Sequence, residues 1–238
     1  MDGNFAQLIE SALGALCPGC GGALVDEDLW QPVTANDGLG GLCQRCQQRL
    51  PPSERGMTRQ ADNALCSSGI YQGSLRQMIL RAKASPHSPA WLTLYRRLRR
   101  QVLAAGICPQ WITVPPPSWK RRWQGWHLAA ELARKLAQDL GCQYGELLRR
   151  RKQRPAQAGL GANARRQNLE GAFALGGGVQ NRLPPSLWIL DDVWTTGATF
   201  EECKRVLEQA GVYVHGAILL AHVDNLQAIA VDETKLRP

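Results

Sequence analysis

Two acids followed by a hydroxyl-rich turn stand in the segment LWILDDVWTTGATFEECKRVLEQAG, residues 187–211. The apolar run 187–190 predicts a buried strand that ends at the acids, and a helix is expected from about 199 to 210. A helix N-terminus offers unpaired N–H groups and the positive end of the helix dipole. Gly197 lets the backbone approach a ligand closely, and hydroxyl donors are added by Thr195, Thr196 and Thr199. The turn therefore predicts a phosphate cradle.

The acids of this turn, Asp191 and Asp192, need a different partner, because carboxylates repel phosphate. Carboxylate oxygens accept hydrogen bonds from sugar hydroxyls and also bind Mg²⁺. In open α/β sheets, ligands lie outside the carboxyl ends of the strands, where this turn is expected. We therefore predict a site for a phosphorylated sugar, with phosphate on the loop and hydroxyl groups on the acids.

Two C-x-x-C pairs form the second chemical group, Cys17 with Cys20 and Cys43 with Cys46, and 22 residues separate them. Four thiolates in this arrangement suit a closed, structural Zn²⁺ site. The alternative is two unmetallated pairs in a degenerate module, and a redox pair is disfavoured because two matched pairs are present. The four remaining cysteines are expected to be small buried hydrophobic residues: Cys66, Cys108, Cys142 and Cys203.

Cationic residues gather in two further stretches. The segment WKRRW, residues 119–123, interleaves aromatic and basic side chains. It is expected to meet pyrophosphate or solvent, or alternatively to hold single-stranded nucleic acid by stacking and charge. The second cationic run, residues 149–154, is expected to be a solvated loop.

The predicted elements divide the chain into two parts. Residues 1–60 comprise a helix over 3–16, a glycine-rich segment too poor in apolar residues to fold alone, and a polar, proline-bearing linker over 51–63 that marks the boundary. Residues 61–238 form the larger domain. Its predicted helices cover 71–83, after a turn, 90–106 and 127–141, and its other strands cover 111–114 and 212–221. A long mobile loop is expected over 149–167. This alternation predicts a mostly parallel sheet covered on both faces.

Bulk properties narrow the class of partner. The chain has 238 residues and a formal net charge of +8, which favours phosphorylated small molecules, nucleic acid or anionic membranes. No apolar run is long enough to span a bilayer. The start lacks the cationic leader of a signal peptide. We expect a cytoplasmic protein, in which a disulfide framework would be unusual.

The turn after the predicted strand resembles the signature with which type I phosphoribosyltransferases bind phosphoribosyl pyrophosphate (PRPP). The resemblance implies that the acids contact the ribose hydroxyls and that the loop holds the 5′-phosphate, with Mg²⁺ accompanying PRPP. The signature usually has aliphatic residues where Trp188 and Trp194 stand, and Trp194 is expected to alter the packing beside the ribose. The residues implied in this site are Asp191, Asp192, Val193, Thr195, Thr196, Gly197, Ala198 and Thr199.

A set of C-x-x-C pairs followed by such a body resembles the ComF family of competence and DNA-utilisation proteins. The family resemblance implies a type I phosphoribosyltransferase-like sheet with flanking helices and an N-terminal zinc module. Residues 124–128, QGWHL, stand where R-G-F-N-Q is usual, and only the glycine matches. A further family-like segment has Gln157, Arg165, Asn168 and Phe173 in place. Additional contacts to PRPP are implied for Lys83, Pro115, Lys120 and Arg122.

The function implied by this resemblance is PRPP binding in DNA uptake, natural transformation or use of external DNA. Single-stranded DNA and DNA-uptake or recombination proteins are the implied partners. The alternative is an active phosphoribosyltransferase that moves ribose 5-phosphate from PRPP to an unidentified acceptor and releases pyrophosphate. A third hypothesis, a zinc-ribbon nucleic-acid binder whose body has lost ligand binding, conflicts with the intact turn at 191–199.

Overall fold

The computed structural model describes residues 16–24, 41–52, 57–60, 63–118, 122–123, 125–151, 169–179 and 182–223. The described strands are β1 (Thr58–Gln60), β2 (Asn63–Ser67), β3 (Trp111–Thr113), β4 (Gln143–Tyr144), β5 (Leu148–Arg150), β6 (Phe173–Leu175), β7 (Ser186–Trp194) and β8 (Tyr213–His222). The helices are α1 (Gln44–Gln48), α2 (Gly73–Ala84), α3 (Ala90–Ala104), α4 (Leu128–Leu140) and α5 (Ala198–Gln209).

Six strands form one sheet in the order β1-β2-β8-β7-β3-β4. Only the pairing of β1 with β2 is antiparallel in this sheet, and the other four pairings are parallel. Strands β5 and β6 form a separate antiparallel pair. The prediction of a mostly parallel sheet is therefore confirmed.

Two apolar cores cover the sheet, one on each face. Trp188 and Leu190 of β7 pack in the core that contains α2, α3 and α4. Their neighbours Leu187 and Ile189 pack in the core that contains α5. Because successive side chains of a strand point to opposite faces, one apolar run serves both cores.

The chain reverses its direction of travel across the sheet between β3 and β7. From β3 it continues through α4 to β4 on one side, and from β7 it continues through α5 to β8 on the other. Such a topological switch leaves a crevice at the carboxyl ends of the two strands, where ligands bind in open α/β sheets. The loops that follow β3 and β7 border this crevice.

Several predicted boundaries differ from the structure. The strand predicted over 187–190 continues through the acids to Trp194. Strand β1 lies within the predicted linker, and β5 occupies the start of the predicted 149–167 loop. The helix predicted to end at Gly106 ends at Ala104, whereas Gly141 caps α4 at φ +69° as expected. The division at residue 60 stays a prediction.

Two predicted segments lie mostly outside the described residues: the helix over 3–16 and the loop over 149–167. In the part of the chain that is described, no helix has the length and apolarity that a bilayer crossing requires.

Candidate functional site

The two acids lie in β7 beyond the point where its neighbour β3 ends. Pairing with β8 continues to Trp194↔His222, whereas pairing with β3 stops at Ile189. After β3, residues 115–117 are prolines, which have no N–H group to extend the ladder. Strand β7 is therefore longer than its apolar run predicted, and the acids lie where its β3-facing edge is open to the crevice.

The acids face opposite sides of the sheet, as neighbours in a strand must. Asp192 is 5% exposed, and its Oδ2 lies 2.8 Å from Nζ of Lys83 in the last turn of α2. Asp191 lies on the α5 side, where burial and, secondarily, the negative charge of Asp191 raise the pKa of the Cys203 thiol. The N–H of Asp192 donates to Oδ1 of Asp191 at 2.8 Å. The structure thus gives the two predicted ribose ligands different surroundings.

Gly197 shapes the loop between β7 and α5. It is the N-cap of α5 with φ +76°, a conformation that non-glycine residues rarely adopt. A Cβ atom at this position would lie 2.6 Å from Cζ2 of Trp194. Trp194 is buried and packs on Phe200, with ring centroids 5.3 Å apart. Trp194 is therefore a buried residue beneath the loop, and the expectation that it alters the packing beside the ribose stays a prediction.

The loop supplies the donors that a phosphate group requires. Because the N-cap of α5 is glycine, the N-cap residue itself has no side chain to cap this 12-residue helix. Thr195 is exposed, while Thr196 and Thr199 are half-buried. The Thr196 hydroxyl accepts the N–H of Ala198 at 3.4 Å, which folds the loop toward the helix start. A cavity of about 20 Å³ lies between this loop and Asp191.

The remaining predicted contacts are distributed around the crevice. Lys83 is brought to Asp192, and Pro115 is buried directly after β3. Trp126 Nε1 donates to the carbonyl of Ala82 at 2.6 Å, which ties the loop after β3 to the end of α2 beside Lys83. Arg122 is exposed. Lys120, Arg121, Gln157, Arg165 and Asn168 lie outside the described residues.

Phe173, which the resemblance placed in a family-like segment, belongs to the core rather than to the crevice. It is 1% exposed in β6, and the guanidinium of Arg150 lies 4.8 Å from its ring centroid. Strand β5 likewise places Arg149 and Arg150 in an antiparallel pair with β6, so the prediction that both lie in a loop is wrong, although Arg149 is exposed.

The four N-terminal cysteines form one cluster. Their sulfur atoms all lie within 4.8 Å of one another, and the Sγ atoms of Cys20 and Cys43 are 3.8 Å apart. A tetrahedral Zn²⁺ site with Zn–S bonds of about 2.3 Å has sulfur–sulfur edges of about 3.8 Å. Burial opposes thiolate formation at Cys17, yet neighbouring N–H groups lower its pKa to about 7. The cluster therefore fits a metal such as zinc.

The cysteine cluster packs against α2, the helix that carries Lys83. Nη2 of Arg81 donates to the carbonyl of Cys20. At the other end of α2, the N–H of Ser74 donates to the carbonyl of Arg49 at 3.2 Å. Buried Arg97 of α3 adds a bond of 2.7 Å to the carbonyl of Pro51. The sequence did not predict this docking, because no local pattern marks contacts between such distant residues.

The scattered cysteines only partly match their prediction. Cys66 and Cys203 are fully buried, as expected of small apolar residues. Cys142 is half-buried, and Cys108 is exposed, so the prediction is wrong for Cys108. Cys108 follows α3 in a short proline-bearing connection, where the chain turns at the surface before β3.

Gly197→Ala is expected to reduce the affinity for sugar phosphates by about tenfold or more, because the new methyl group must displace the loop from Trp194. Isothermal titration with ribose 5-phosphate measures this effect. Gly211→Ala is the matched control, since Gly211 also has positive φ (+84°) but open space around its Cβ position. Both variants should lose stability, and only Gly197→Ala should lose affinity. Equal affinities of the two variants for ribose 5-phosphate would show that the loop is not part of the site.

The DNA utilization protein YhgH of Escherichia coli O157:H7 is 32% identical over 203 residues, which are 82% of this chain and 79% of that protein. YhgH of Salmonella typhimurium is 30% identical over 83% of this chain and 79% of its own length. Competence protein F of Haemophilus influenzae is 35% identical over 42% of this chain and 44% of that protein. No protein-family model matches the chain.

Solved structures of two phosphoribosyltransferases are similar to part of this chain. An adenine phosphoribosyltransferase covers 59% of this chain and 73% of its own, with 14% identity and a TM-score of 0.39. The orotate phosphoribosyltransferase from Aeropyrum pernix covers 72% and 76%, with 18% identity and a TM-score of 0.36.

The fold and the two candidate sites define an α/β protein with a candidate ligand site at the strand ends and a cluster of four cysteines. The extent of the match to YhgH then gives the family. This chain belongs to the ComF family of competence and DNA-utilisation proteins.

Proposed function

We propose that this protein binds PRPP with Mg²⁺ in the crevice between β3 and β7 and acts in the uptake or use of DNA. One observation carries the proposal. A buried carboxylate, Asp192, pairs with Lys83 near the end of β7, and the loop that follows leads to a helix whose N-cap is Gly197. Carboxylates for hydroxyl groups and a helix N-terminus for phosphate are the two halves of a sugar-phosphate site.

Different residues would contact the different parts of PRPP. The 5′-phosphate would lie on the backbone and hydroxyl groups of the loop after β7, and the ribose hydroxyls would meet Asp191 and Asp192. Mg²⁺ would be held by carboxylate and phosphate oxygens, as is usual for this ion. The pyrophosphate would meet cations around the loop after β3. The residues assigned to PRPP are Asp191, Asp192, Val193, Thr195, Thr196, Gly197, Ala198, Thr199, Lys83, Pro115, Lys120 and Arg122.

The ion pair between α2 and β7 gives this assignment a physical basis. Lys83 and Asp192 are mostly buried, with side chains 22% and 8% exposed. A lysine at this distance fixes the carboxylate orientation before any ligand arrives, which reduces the ordering cost of binding. The same ammonium group lies at the crevice, where it would attract the phosphate groups of PRPP.

The part in DNA utilisation rests on the relatives, two of which are named DNA utilization protein and one competence protein. Single-stranded DNA and DNA-uptake or recombination proteins are the partners we propose. Trp123 supports a DNA partner, because it is 85% exposed beside the exposed Arg122. An exposed aromatic ring next to a cation suits base stacking with backbone contact. We place the protein in the cytoplasm, where its eight free cysteines would stay reduced.

A structural Zn²⁺ in the four-cysteine cluster completes the proposal. Cys17, Cys20, Cys43 and Cys46 would fill the coordination sphere, which leaves no position for water or substrate. The ion would supply folding energy to a segment with a small core. It takes no part in chemistry at the crevice.

A second candidate is the active enzyme of the same class. In that reaction an acceptor nucleophile would form a bond to C1 of the ribose while the C1–O bond to pyrophosphate breaks, and the electron pair would leave with the pyrophosphate. The position of Lys83 at the crevice favours this candidate, because a fixed cation stabilises charge on a departing pyrophosphate.

Titration calorimetry with Mg²⁺ tests the proposal. PRPP should bind about tenfold or more tightly than ribose 5-phosphate, because its pyrophosphate adds charge-assisted contacts. Absence of any heat at saturating Mg²⁺ would overturn it. Pyrophosphate release from PRPP, measured with and without single-stranded DNA, then separates the binding protein from the enzyme.

A further inference from the structure

A second concave site lies away from the crevice, between the antiparallel strands β5 and β6 and the last two turns of α5. Its cavity has a volume of about 410 Å³. This volume lies within the range of small-molecule sites. Helix α5 rises by about 17 Å from its first to its last residue. The cavity is therefore separate from the loop at the start of α5.

Three arginines line this cavity, which we call the arginine groove: Arg149, Arg151 and Arg205. Arg149 and Arg151 are exposed; Arg149 lies in β5, and Arg151 directly follows this strand. Nε of Arg149 donates to the carbonyl of Leu175 at 3.0 Å, which holds the base of the guanidinium against β6. Among the described residues, no carboxylate lies within ion-pair distance of Arg149 or Arg151.

Arg205 is held in a fixed orientation. Its Nε and Nη2 donate to the two carboxylate oxygens of Glu202, each at 2.8 Å, and its Nη1 donates to Gln209 at 2.8 Å. Glu202 thus pairs with Arg205, on which the charge of Glu170 also acts, whereas Arg149 and Arg151 have no ion pair among the described residues. The planar guanidinium fork matches phosphate geometry.

Apolar side chains line the rest of the arginine groove together with Gln209. They are Phe173, Ala174 and Leu175 of β6, with Val206 and Ala210 at the helix end. An apolar lining beside cationic groups suits a ligand with a planar apolar part and an anionic part. Nucleotides have this composition, and arginine planes also stack on bases.

We propose that the arginine groove is a second site, which binds the phosphate of a nucleotide unit. The unit is either a free nucleotide or part of a single strand, because both present the same phosphate and base. This site goes beyond the PRPP crevice and does not depend on it.

Fluorescence anisotropy with a labelled dodecamer of thymidylate that lacks terminal phosphates tests the proposal, since this probe has no terminal phosphate for the crevice. The double variant Arg149→Gln/Arg151→Gln should bind about tenfold or more weakly than wild type. Its salt dependence, as the slope of log K against log[salt], should fall by about 1.4, the value for two lost phosphate contacts. The control Arg96→Gln/Arg182→Gln removes two other exposed arginines and should bind like wild type.

A second pair of variants leaves the arginines unchanged, so it tests the groove even if the double variant misfolds. Ala210→Glu places a carboxylate in the groove without altering any arginine, and Ala210→Gln adds the same volume without charge. The glutamate variant should bind the probe more weakly than the glutamine variant. Competition by thymidine 5′-monophosphate, measured in the Gly197→Ala background, identifies the free nucleotide as the source, and binding of the dodecamer alone identifies the strand.

The proposal is overturned if wild type binds neither probe, or if the double variant and its control lose affinity equally. It is also overturned if both Ala210 variants bind like wild type. The PRPP titration reports on a different site, so failure of one proposal leaves the other intact.

Discussion

Asp192→Asn is expected to weaken the binding of PRPP with Mg²⁺ by about 10-fold to 100-fold, because one charge-assisted hydrogen bond contributes about 1.5–3 kcal/mol. The carboxylate is 5% exposed and 2.8 Å from the ammonium of Lys83. The amide keeps the size of the side chain but removes its charge. Both the ribose contact and the orientation that Lys83 imposes are lost together. Titration calorimetry of wild type and variant gives the two affinities.

The matched control for this variant is Asp139→Asn at the end of α4. Asp139 also bonds a lysine, with Lys135 Nζ at 2.7 Å, and it accepts the Tyr95 hydroxyl. Lys135 lies on α4, whereas Lys83 lies on α2. This control therefore removes a carboxylate that is paired with a lysine away from the crevice. Its affinity for PRPP should equal that of wild type.

Stability and affinity are expected to separate in Asp192→Asn. Lys83 is 22% exposed at its side chain, so water can solvate the ammonium once its partner is gone. The thermal midpoint should therefore fall only slightly while affinity falls strongly. A folded Asp192→Asn protein that binds PRPP as tightly as wild type would exclude Asp192 from the site.

The local part of the candidate site could be predicted from the sequence. The order of acids, threonines and glycine fixes a turn chemistry within nine residues, and the cysteine spacing fixes a chelate within each pair. Gly197 shows why such patterns are reliable: its φ of +76° and its contact with Trp194 depend on residues three positions apart. Local motifs of this kind need no knowledge of the fold.

The distant part could not be predicted, because it depends on partners far along the chain. Strand β7 extends to Trp194 since its ladder with β8 continues to His222, a pairing that hydropathy does not encode. Asp192 and Lys83 are more than a hundred residues apart, yet an ion pair joins them. The same reason applies to the arginine groove, because a polar, basic run predicts a loop and the pairing of β5 with β6 joins residues far apart in the chain.

Helix α2 contacts both the cysteine cluster and the crevice. Removal of the metal is therefore expected to have a large effect on PRPP binding. Arg81 in its last turns bonds the carbonyl of Cys20, and Lys83 two residues later bonds Asp192. Ser74 in its first turn bonds the carbonyl of Arg49, just after the second cysteine pair. Between these contacts, α2 buries an apolar face against the core: Leu75, Met78, Ile79 and Ala82. A cysteine cluster that loses its metal should therefore loosen the helix that positions Lys83.

Cys46→Ser is expected to lower zinc content from one ion per chain to none and to reduce the affinity for PRPP by about fivefold or more, on the order of 1 kcal/mol. Elemental analysis measures the zinc, and calorimetry measures the affinity. Structural zinc contributes strongly to the folding of small modules, so amide exchange should rise first in residues 41–52 and then in α2. Exchange in α4 should stay low, which distinguishes local loosening from global unfolding.

Cys108→Ser is the control for this experiment, because Cys108 is exposed and lies outside the four-cysteine cluster. It should keep zinc, slow exchange in α2 and the affinity of wild type. The decisive comparison is between zinc content and affinity in Cys46→Ser. If zinc is lost while α2 exchange and PRPP affinity are unchanged, α2 is held by its apolar face alone, and the module does not support the crevice. If zinc content, the protection of α2 from amide exchange and the affinity for PRPP fall together, metal binding stabilises α2 through the Arg81 and Ser74 contacts. The metal then helps to hold Lys83 in position.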